Sequence, residues 1–304
     1  MTEPEPPATP LATRAGIVTV TGKPNAGKST LLNRLVGQKL SITSAKPQST
    51  RDRIVGIYTR DAVQMVIFDT PGLLIPTYEL QTAMRRTALQ ALDDADVIVY
   101  VADATEGMPA QLMEAAALEH PPRAPVLLVL NKSDALKRSQ RTALRLAVPE
   151  ALLISSHTGD GVAELVTAIG AALPPSPYLY PEDEVSTQSM RFFVAELVRE
   201  TALEQLNEEV PYSIACEVEE FREDREPVYI RAVVYTERES QKRILIGEGG
   251  TRIRDIGRAS RLKVEKLVGA PVYLDLWVKV LPNWRRNMRD LRRFGYKIPG
   301  ATEP

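Results

Sequence analysis

A glycine-rich segment near the amino end has the residue types and spacing of a phosphate-binding loop. The pattern G-x-x-x-x-G-K-[ST] is matched by Gly22-Lys23-Pro24-Asn25-Ala26-Gly27-Lys28-Ser29, with Thr30 next. It follows a strand-like run and opens a helix-like run, which is the context that this pattern requires. Backbone N–H groups there surround phosphates, Lys28 reaches the β and γ phosphates, and the Ser29 hydroxyl ligates Mg²⁺. The segment therefore predicts a nucleoside-triphosphate site.

Two more polar motifs come directly after predicted strands. The strand Val63–Phe68 is followed by Asp69-Thr70-Pro71-Gly72, in which Asp69 can hold Mg²⁺ through water and the Gly72 N–H can reach a γ-phosphate. A later strand is closed by Ser155-Ser156-His157, where the Ser156 N–H can meet a guanine carbonyl. Because ligands lie at the carboxyl ends of parallel strands, we expect both motifs to face the phosphate loop.

A fourth motif indicates which base is bound. The run Val126–Leu130 is followed by Asn131-Lys132-Ser133-Asp134. The Asp134 carboxylate offers two acceptors, which suit the N1–H and N2–H₂ donors of guanine, whereas adenine lacks that donor pair. Losing a charge-assisted hydrogen bond costs about 1.5–3 kcal/mol, which is enough to select the base. We expect Asn131 to brace the loop and the stem of Lys132 to cover the base.

Together these four motifs resemble the small GTPases, over about residues 14–173. By resemblance to the bacterial ribosome-associated GTPases, the threonine just before an arginine ligates Mg²⁺ when GTP is bound. In Gln48-Ser49-Thr50-Arg51-Asp52 that residue is Thr50, with Ser49 as the alternative. The resemblance thus implies a magnesium site formed by Ser29, Thr50 and, through water, Asp69.

The residue after Gly72 leaves the route of hydrolysis open. Ras-like GTPases have a water-orienting glutamine there, but this chain has Leu73, which cannot hydrogen-bond through its side chain. In several GTPases with a hydrophobic residue at this place, an asparagine of the phosphate loop helps to hold K⁺, and Asn25 corresponds to it. Our hypothesis is K⁺ activation near Asn25, alongside Lys28, Thr50 and Gly72 in catalysis. The alternative is that Asn25 only stabilises the loop.

The first 173 residues alternate strand-like and helix-like segments. Short apolar runs that read as buried strands are Gly16–Thr21, Val63–Asp69, Val97–Asp103, Pro125–Asn131 and Ala151–Ser155. Helical spacing separates them, as in Glu79–Asp93 and Gly161–Leu173. This alternation predicts an α/β fold with a mostly parallel, doubly wound sheet.

After a proline-rich stretch the pattern changes to a small α+β arrangement. The predicted elements are a helix Met190–Leu206, strands Tyr212–Phe221 and Val228–Thr236, helices Gln241–Ile246 and Thr251–Leu267, and a strand Val272–Val280. The two later helices flank Gly247-Glu248-Gly249-Gly250, a G-x-x-G loop. This order resembles a KH domain of the bacterial type II arrangement.

The resemblance to KH domains implies that this loop binds the backbone of single-stranded RNA. The residues implied are Lys242, Arg243, Ile246, Gly247, Glu248, Gly249, Gly250, Thr251, Arg252, Arg254 and Arg258. Glu248 departs from the family pattern, because KH loops usually carry a basic residue between the glycines and a carboxylate repels phosphate. The alternative reading of the basic helix is a solvated surface.

The charges of the chain are unevenly distributed although their sum is only −1. Residues 242–297 contain 15 basic and 5 acidic residues, a net of +10, and the remaining 23 basic and 34 acidic residues give −11. A basic end on an acidic body is typical of contact with nucleic acid or a membrane surface. Near the end, Trp284, Met288 and Leu291 are spaced to share one helical face among arginines. We expect that face to pack on its own domain.

Composition excludes several other classes. No apolar run approaches the ~20 residues that span a bilayer, and Met1–Thr13 lacks the basic start of a secretory signal. A single cysteine, Cys216, cannot form an internal disulfide, which suits a cytoplasmic protein. The predicted division is a disordered tail 1–13, a GTP-binding G domain 14–173, a linker 174–189, a KH domain 190–297 with a basic C-terminal helix, and a tail 298–304.

A G domain followed by a KH domain resembles the Era family of bacterial ribosome-assembly GTPases, over nearly the whole chain. The resemblance implies a monomeric GTP/GDP switch that binds small-subunit (16S) ribosomal RNA, assists assembly of the small ribosomal subunit, and makes peripheral membrane contact. Two alternatives stand beside it. One is an RNA-binding adaptor whose nucleotide is structural and barely hydrolysed, and the other is a GTPase that uses the basic end to bind lipid.

Overall fold

The computed structural model describes residues 13–44 and 46–297. Apart from Thr13, the two predicted tails, 1–13 and 298–304, lie outside these residues. None of the helices that the described residues form has both the length and the apolar composition needed to cross a bilayer.

The first half forms a six-stranded sheet with helices on its faces. In chain order its elements are β1 (Arg14–Thr21), α1 (Lys28–Val36), β2 (Ile54–Arg60), β3 (Val63–Asp69), α2 (Glu79–Asp93), β4 (Val97–Asp103), α3 (Leu112–Ala116), β5 (Val126–Asn131), α4 (Arg138–Ala147), β6 (Leu152–Leu153) and α5 (Val162–Ala172). The strand order is β2-β3-β1-β4-β5-β6, and only the β2–β3 pair is antiparallel. The predicted fold class is confirmed, and the carboxyl ends of β1, β3, β5 and β6 meet at one edge.

Strand β6 is shorter than predicted. Only Leu152 and Leu153 pair with β5, although the apolar run suggested Ala151–Ser155. The backbone N–H of Ser155 donates to the Asp160 carbonyl, and that of Ser156 donates to the Asn131 side chain. Because these donors serve the loop, the strand ends early. The short helices α3 and α4 were not predicted.

The second half adds a three-stranded sheet that packs against helices. Its elements are α6 (Met190–Gln205), α7 (Val210–Ser213), β7 (Ala215–Arg222), β8 (Val228–Thr236), α8 (Glu239–Ile246), α9 (Thr251–Val268), β9 (Val272–Val280) and α10 (Met288–Arg293). Strands β7 and β8 are antiparallel, and β8 and β9 are parallel. A parallel pair needs a long crossover, which α8 and α9 provide with the G-x-x-G loop between them.

Two predictions in this half were wrong in detail. Tyr212 does not begin a strand, because Pro211 stands in the first turn of the short helix α7 and the strand starts at Ala215. Trp284 does not share a helix with Met288 and Leu291. It lies in a separate 3₁₀ turn, because the Asn287 side chain caps a new helix by accepting from the backbone N–H groups of Arg289 and Asp290.

The residues of that predicted stripe have different surroundings. Trp284 and Leu291 are fully buried, whereas Met288 is 49% exposed. Trp284 packs in one cluster with Leu80 and Met84 of α2, and its indole N–H donates to the Ser213 carbonyl at 2.8 Å. The carboxyl end of the chain therefore joins the two halves of the molecule.

Candidate functional site

The phosphate-binding motif forms a tight turn between β1 and α1 that only glycine permits at two places. Gly22 has a φ of 144°, and a Cβ there would lie 2.1 Å from the Val101 carbonyl oxygen. Gly27 has a φ of 95°, and a Cβ would lie 2.2 Å from Asn131 Nδ2. These close approaches hold the turn against β4 and the end of β5.

Lys28 is buried beneath this turn. Its Nζ donates to the carbonyl oxygens of Gly22 at 3.1 Å and Lys23 at 2.8 Å. Burial lowers the pKa of Lys28 to about 8, although the nearby Asp69 carboxylate opposes the shift. Two backbone carbonyls therefore hold the Lys28 ammonium at the start of α1. A bound phosphate would bring the negative charge that offsets the ammonium there.

A carboxylate and three hydroxyls converge beside Lys28. Asp69 Oδ2 accepts from the hydroxyls of Ser29 and Ser41 at 2.7 Å each and lies 3.5 Å from Thr50 Oγ1. The Ser29 and Thr50 hydroxyls are 3.0 Å apart. Asp69 Oδ1 is buried and, among the described residues, has no hydrogen-bond partner. Burial raises the pKa of Asp69 despite Lys28 and the hydroxyls. This hard oxygen donor set, with one acceptor unsatisfied, fits Mg²⁺.

A cavity of about 470 Å³ opens in front of these groups, within the usual size of a small-molecule site. The predicted residues that line it are Pro24, Asn25, Gly27, Lys28, Ser29, Thr30, Ser49, Thr50, Gly72 and Lys132. Four residues that were not predicted, Ile42, Thr43, Ser44 and Gln48, complete the wall from the loop between α1 and β2.

The motif at the end of β5 is tied to the phosphate loop. Asn131 Nδ2 donates to the Ala26 carbonyl at 2.8 Å, which ties the end of β5 to the phosphate loop. Asp134 is exposed, and its Oδ1 accepts from the Ser155 hydroxyl at 2.6 Å.

One donor at this end is arranged differently from the sequence prediction. We expected the Ser156 N–H to meet a guanine carbonyl, but it donates to Asn131 Oδ1 at 2.9 Å. The backbone N–H of Ser156 therefore helps to brace the loop. The Asn131 side chain contributes both of its ends, since Nδ2 donates to Ala26 and Oδ1 accepts from Ser156. His157, the third residue of the motif, is exposed, and its carbonyl accepts from the Arg34 guanidinium.

The segment after β3 lies against the phosphate loop. A Cβ on Gly72 would lie 2.8 Å from the Pro24 nitrogen, and the Leu73 N–H donates to the Gly22 carbonyl at 3.0 Å. The Thr70 hydroxyl donates to the Val20 carbonyl at 2.9 Å, which ties the backbone just before Pro71 to β1. The Leu73 side chain is buried in an apolar cluster under α2. A leucine here serves packing and leaves no side-chain group to orient water.

The G-x-x-G loop is a single 3₁₀ turn between α8 and α9. Gly247, Gly249 and Gly250 all have positive φ, and a Cβ on Gly247 would lie 2.8 Å from Arg252 Cβ. Arg252 donates to the Ile244 carbonyl at 2.8 Å, and Arg254 donates to the Gly249 carbonyl at 3.1 Å. Two of the predicted RNA-binding arginines therefore also brace the loop.

The basic residues of the second half differ in whether they form ion pairs. Lys263, Lys279, Arg285 and Arg293 each form an ion pair with a glutamate. In the part of the chain that the structure describes, no ion pair is formed by the cations around the loop, which are Lys242, Arg243, Arg252, Arg254 and Arg258. Unpaired positive charge is thus present around the predicted RNA-binding loop, where Glu248 and Thr251 are exposed and Ile246 is half-buried.

Sequence reasoning also missed two polar side chains that position groups of the nucleotide end. Ser41 donates to Asp69, but it lies in an irregular loop with no pattern that could have marked it. Asp103 accepts from Lys132 Nζ at 2.6 Å and so holds the lysine stem in place. Asp103 ends β4 beside the site, and its position at a strand end was a usable signal.

Comparison with known proteins separates the two halves in the same way. The family described as 50S ribosome-binding GTPase matches residues 17–132, and the KH domain family matches residues 209–285. The chain is 41% identical to GTPase Era of Carboxydothermus hydrogenoformans over 294 residues, covering 94% of this chain and 99% of that one. The chain belongs to the Era family.

Other members of the Era family show the same extent of similarity. GTPase Era of Ectopseudomonas mendocina is 40% identical, with 93% of this chain and 97% of that protein covered. Two solved structures each have a TM-score of 0.87 and 38% identity, and each covers 94% of this chain and 100% of the solved one. One is a point variant of Aquifex aeolicus Era bound to GDP·AlF₄⁻, and the other is Era in complex with MgGDPNP and nucleotides 1506–1542 of 16S ribosomal RNA.

Proposed function

We propose that the chain is a GTP-hydrolysing switch that binds 16S ribosomal RNA through its KH domain and assists assembly of the small ribosomal subunit. The observation that carries the proposal is the presence of two sites in one chain: an oxygen-lined cavity at a phosphate loop and a set of unpaired cations at a G-x-x-G loop. The Era relative solved with MgGDPNP and a 16S fragment supports this pairing. We propose the domain limits 14–173, 174–189 and 190–297 and a monomer.

In this proposal the residues of the four motifs bind GTP and GDP. Backbone groups of the turn from Gly22 to Gly27 surround the phosphates, Lys28 neutralises them, and the Asp134 carboxylate accepts from guanine. Asn131 holds the loop, and the Lys132 stem covers the base. The remaining contacts are assigned to Lys23, Pro24, Asn25, Ala26, Thr30, Thr70, Pro71, Ser155, Ser156 and His157.

We assign Mg²⁺ to the oxygen cluster. Ser29 and Thr50 would hold it directly and Asp69 through water, and Thr50 rather than Ser49 is favoured because its hydroxyl meets that of Ser29. When bound, the cation neutralises charge on the β and γ phosphates. Lys28 would add a second positive charge, and the Gly72 N–H would donate to the terminal phosphate.

The chain's own residues leave the attacking water to be oriented by other means. Leu73 is turned into the core, so its side chain cannot act, and turnover is expected to be slow without a partner. We propose K⁺ near Asn25 as one source of the missing charge, since Asn25 lines the cavity. Faster hydrolysis in KCl than in NaCl, lost in Asn25→Asp or Asn25→Ala, supports this. Equal rates in the two salts contradict it.

For RNA, we propose that Gly247 and Gly250 allow the backbone of a single strand to approach the loop. Lys242, Arg243, Arg252, Arg254 and Arg258 supply the charge, and the apolar surface beside Ile246 takes the bases. We propose that the protein acts in the cytoplasm. We also propose peripheral membrane contact. The apolar residues Trp284 and Leu291, which lie among the terminal arginines in the sequence, are buried within the molecule.

The decisive experiment measures GTP hydrolysis with and without Mg²⁺, K⁺ and a single-stranded 16S fragment, and crosslinks the GTP-bound protein to cellular RNA. Stimulated, Mg²⁺-dependent turnover with crosslinks to 16S RNA supports the switch. Tight GTP binding with no turnover under any condition supports the adaptor instead. Flotation with anionic vesicles, without RNA crosslinks, supports the lipid-binding GTPase.

A further inference from the structure

The loop that carries Thr50 is held by the KH domain as well as by its own domain. We call it the threonine loop and define it as residues 39–44 and 46–53, between α1 and β2. Both neighbours of Thr50 in the chain are fixed from outside the G domain. The Ser49 carbonyl accepts from Arg199 Nη2 of α6 at 2.5 Å, and the Arg51 side chain enters the KH domain.

Arg51 has an unusual environment for a guanidinium. It is buried, and it donates to the carbonyls of Ile214 at 2.6 Å and Tyr212 at 3.0 Å, at the end of α7. It also lies 5.8 Å from the centre of the Trp284 ring. Within the described residues no carboxylate forms an ion pair with it. Burying a cation without a counter-charge opposes folding, so the carbonyls that accept from Arg51 must offset the loss of its hydration.

Arg199 is the matching group on the other side. It is buried, and its Nε and Nη2 pair with Glu196 at 2.8 and 2.6 Å, so the guanidinium is held rigidly while it donates to Ser49. Further along the loop, Lys46 donates to the carbonyls of Leu203 and Leu206 at the end of α6. Three cationic side chains thus fasten the loop to one helix and the short helix beside it.

These contacts place the Thr50 hydroxyl in the oxygen cluster, 3.0 Å from Ser29 Oγ. We infer that Arg51 and Arg199 are positioning residues, through which the docked KH domain holds Thr50 at the magnesium end of the cavity. The inference rests on the proposed GTP site and names how that site is regulated. Neither arginine touches the nucleotide in this scheme.

The consequence concerns the discrimination between GTP and GDP. A threonine that acts together with Mg²⁺ and a γ-phosphate favours GTP, whereas the phosphate loop and the base motif bind both nucleotides alike. Weakening the arginines should therefore lower affinity for GTP and spare GDP. Coupling free energies are reciprocal, so bound GTP should equally stabilise docking of the KH domain.

The test compares Mg²⁺-dependent binding of a non-hydrolysable GTP analogue and of GDP, by fluorescence titration of the full chain. We expect Arg199→Met and Arg51→Lys to weaken analogue binding about tenfold and to leave GDP binding unchanged. Thr50→Ala should have the same effect. Adding Arg199→Met to Thr50→Ala should cause no further loss, because the arginine acts through the threonine.

Arg191→Met is the matched control. Arg191 is in the same helix, and among the described residues it donates only to the carbonyls of Val218 and Glu219 within the KH domain. Arg199→Lys replaces Arg199→Met if melting curves show that the latter is unfolded. Equal losses for both nucleotides, unchanged discrimination, or additive losses in the double variant would overturn the inference. A wild-type chain that fails to bind the analogue would instead refute the proposed function.

Discussion

Lys28 is a buried cation whose charge depends on pH near neutrality. Burial brings its pKa down to about 8, so the nucleotide-free protein loses this proton just above that pH. Phosphates favour the charged form and must raise the pKa on binding. In the free protein the folded value lies below the ordinary 10.5, so this group makes the fold more stable as pH rises from about 8 to 10.5.

We therefore expect nucleotide affinity to be nearly constant from pH 7 to about 8 and to fall above it. One proton should be taken up per nucleotide bound at the upper end of the range. Titrations between pH 7 and 9, with calorimetry in buffers of different ionisation enthalpy, measure both quantities. Lys28→Met should bind weakly and lose the dependence, and a wild-type affinity that rises with pH would contradict the assignment.

Glu248 is the one charge of the G-x-x-G loop that opposes phosphate. If the loop contacts the RNA backbone, Glu248→Lys should tighten binding and raise the slope of log affinity against log salt by about 1. Fluorescence anisotropy with a 16S fragment over a range of KCl concentrations measures both effects.

The matched control is Glu223→Lys, which makes the same charge change in the exposed β7–β8 hairpin. The hairpin leads into β8, whose first residues pair with the start of β9 at the far end of α9 from the loop. Tighter binding in both variants would indicate a general charge effect and no loop contact.

At the scale of elements, the proposed linker 174–189 lies along the edge strand β2 and the neighbouring β3. The Ile57 N–H donates to the Val185 carbonyl at 2.9 Å, and Gln188 accepts from the Val55 N–H and donates to the Arg53 carbonyl. Gln64 of β3 is fully buried and binds the backbone of Leu179 and Tyr180. The linker thus covers an open sheet edge.

Gln64→Ala should leave several linker groups without partners. We expect a loss of about 2–4 kcal/mol in the free energy of unfolding, because each buried polar group left unsatisfied costs about 1–3 kcal/mol. Denaturant titration measures the loss, and limited proteolysis should show faster cleavage between residues 174 and 189. Gln90→Ala, at an exposed position of α2, is the control and should change neither.

The helices and strands themselves were largely predictable. The bounds of β3, β4, α2, β8 and β9 agree with the sequence pattern, because each has a clear period or an unbroken apolar run. The linker contacts were not predictable. Gln64 is a polar residue among apolar ones, and nothing in that pattern distinguishes it from any other polar position in a strand. The end of the chain was misread because Asn287 acts as a cap, which divides what spacing alone suggested was one helical face.

For the whole molecule, Glu200 of α6 joins three parts. Its carboxylate is completely buried and accepts from Lys39 at 2.7 Å and the Thr43 N–H at 3.2 Å in the threonine loop, and from Lys263 of α9 at 3.0 Å. Burial alone would raise the pKa of Glu200, but the hydrogen bonds from the two lysines outweigh it and hold the pKa below its ordinary value.

A carboxylate with a lowered pKa stabilises the fold above its unfolded pKa, and this contribution is lost as pH falls through the folded value. We expect Glu200→Gln to cost about 2 kcal/mol at pH 7. The difference from wild type should shrink as the pH falls below 4.5. Melting curves from pH 3 to 7 measure it. Glu204→Gln removes only an exposed partner of Lys263 and should cost much less.

The nucleotide site was predictable at the level of its motifs, and the connections between the two halves were not. Gly22, Asp69 and Asp134 each belong to a pattern with fixed local spacing, so the sequence shows them directly. Arg51, Arg199 and Glu200 act across the domain interface, and the residues joined in these contacts are at least 150 positions apart in the chain. Such pairings arise from tertiary packing, which leaves no periodic trace in one sequence.

The anchored linker also determines what happens when the two domains separate. It is fixed as far as Gln188, and α6 starts at Met190, so almost no slack chain lies between the domains. A KH domain released from the threonine loop therefore stays at an effective concentration of at least about millimolar relative to it. Reassociation of the two domains is unimolecular, so dilution cannot slow it. The KH domain therefore stays released only while another ligand occupies a surface that the separation exposes.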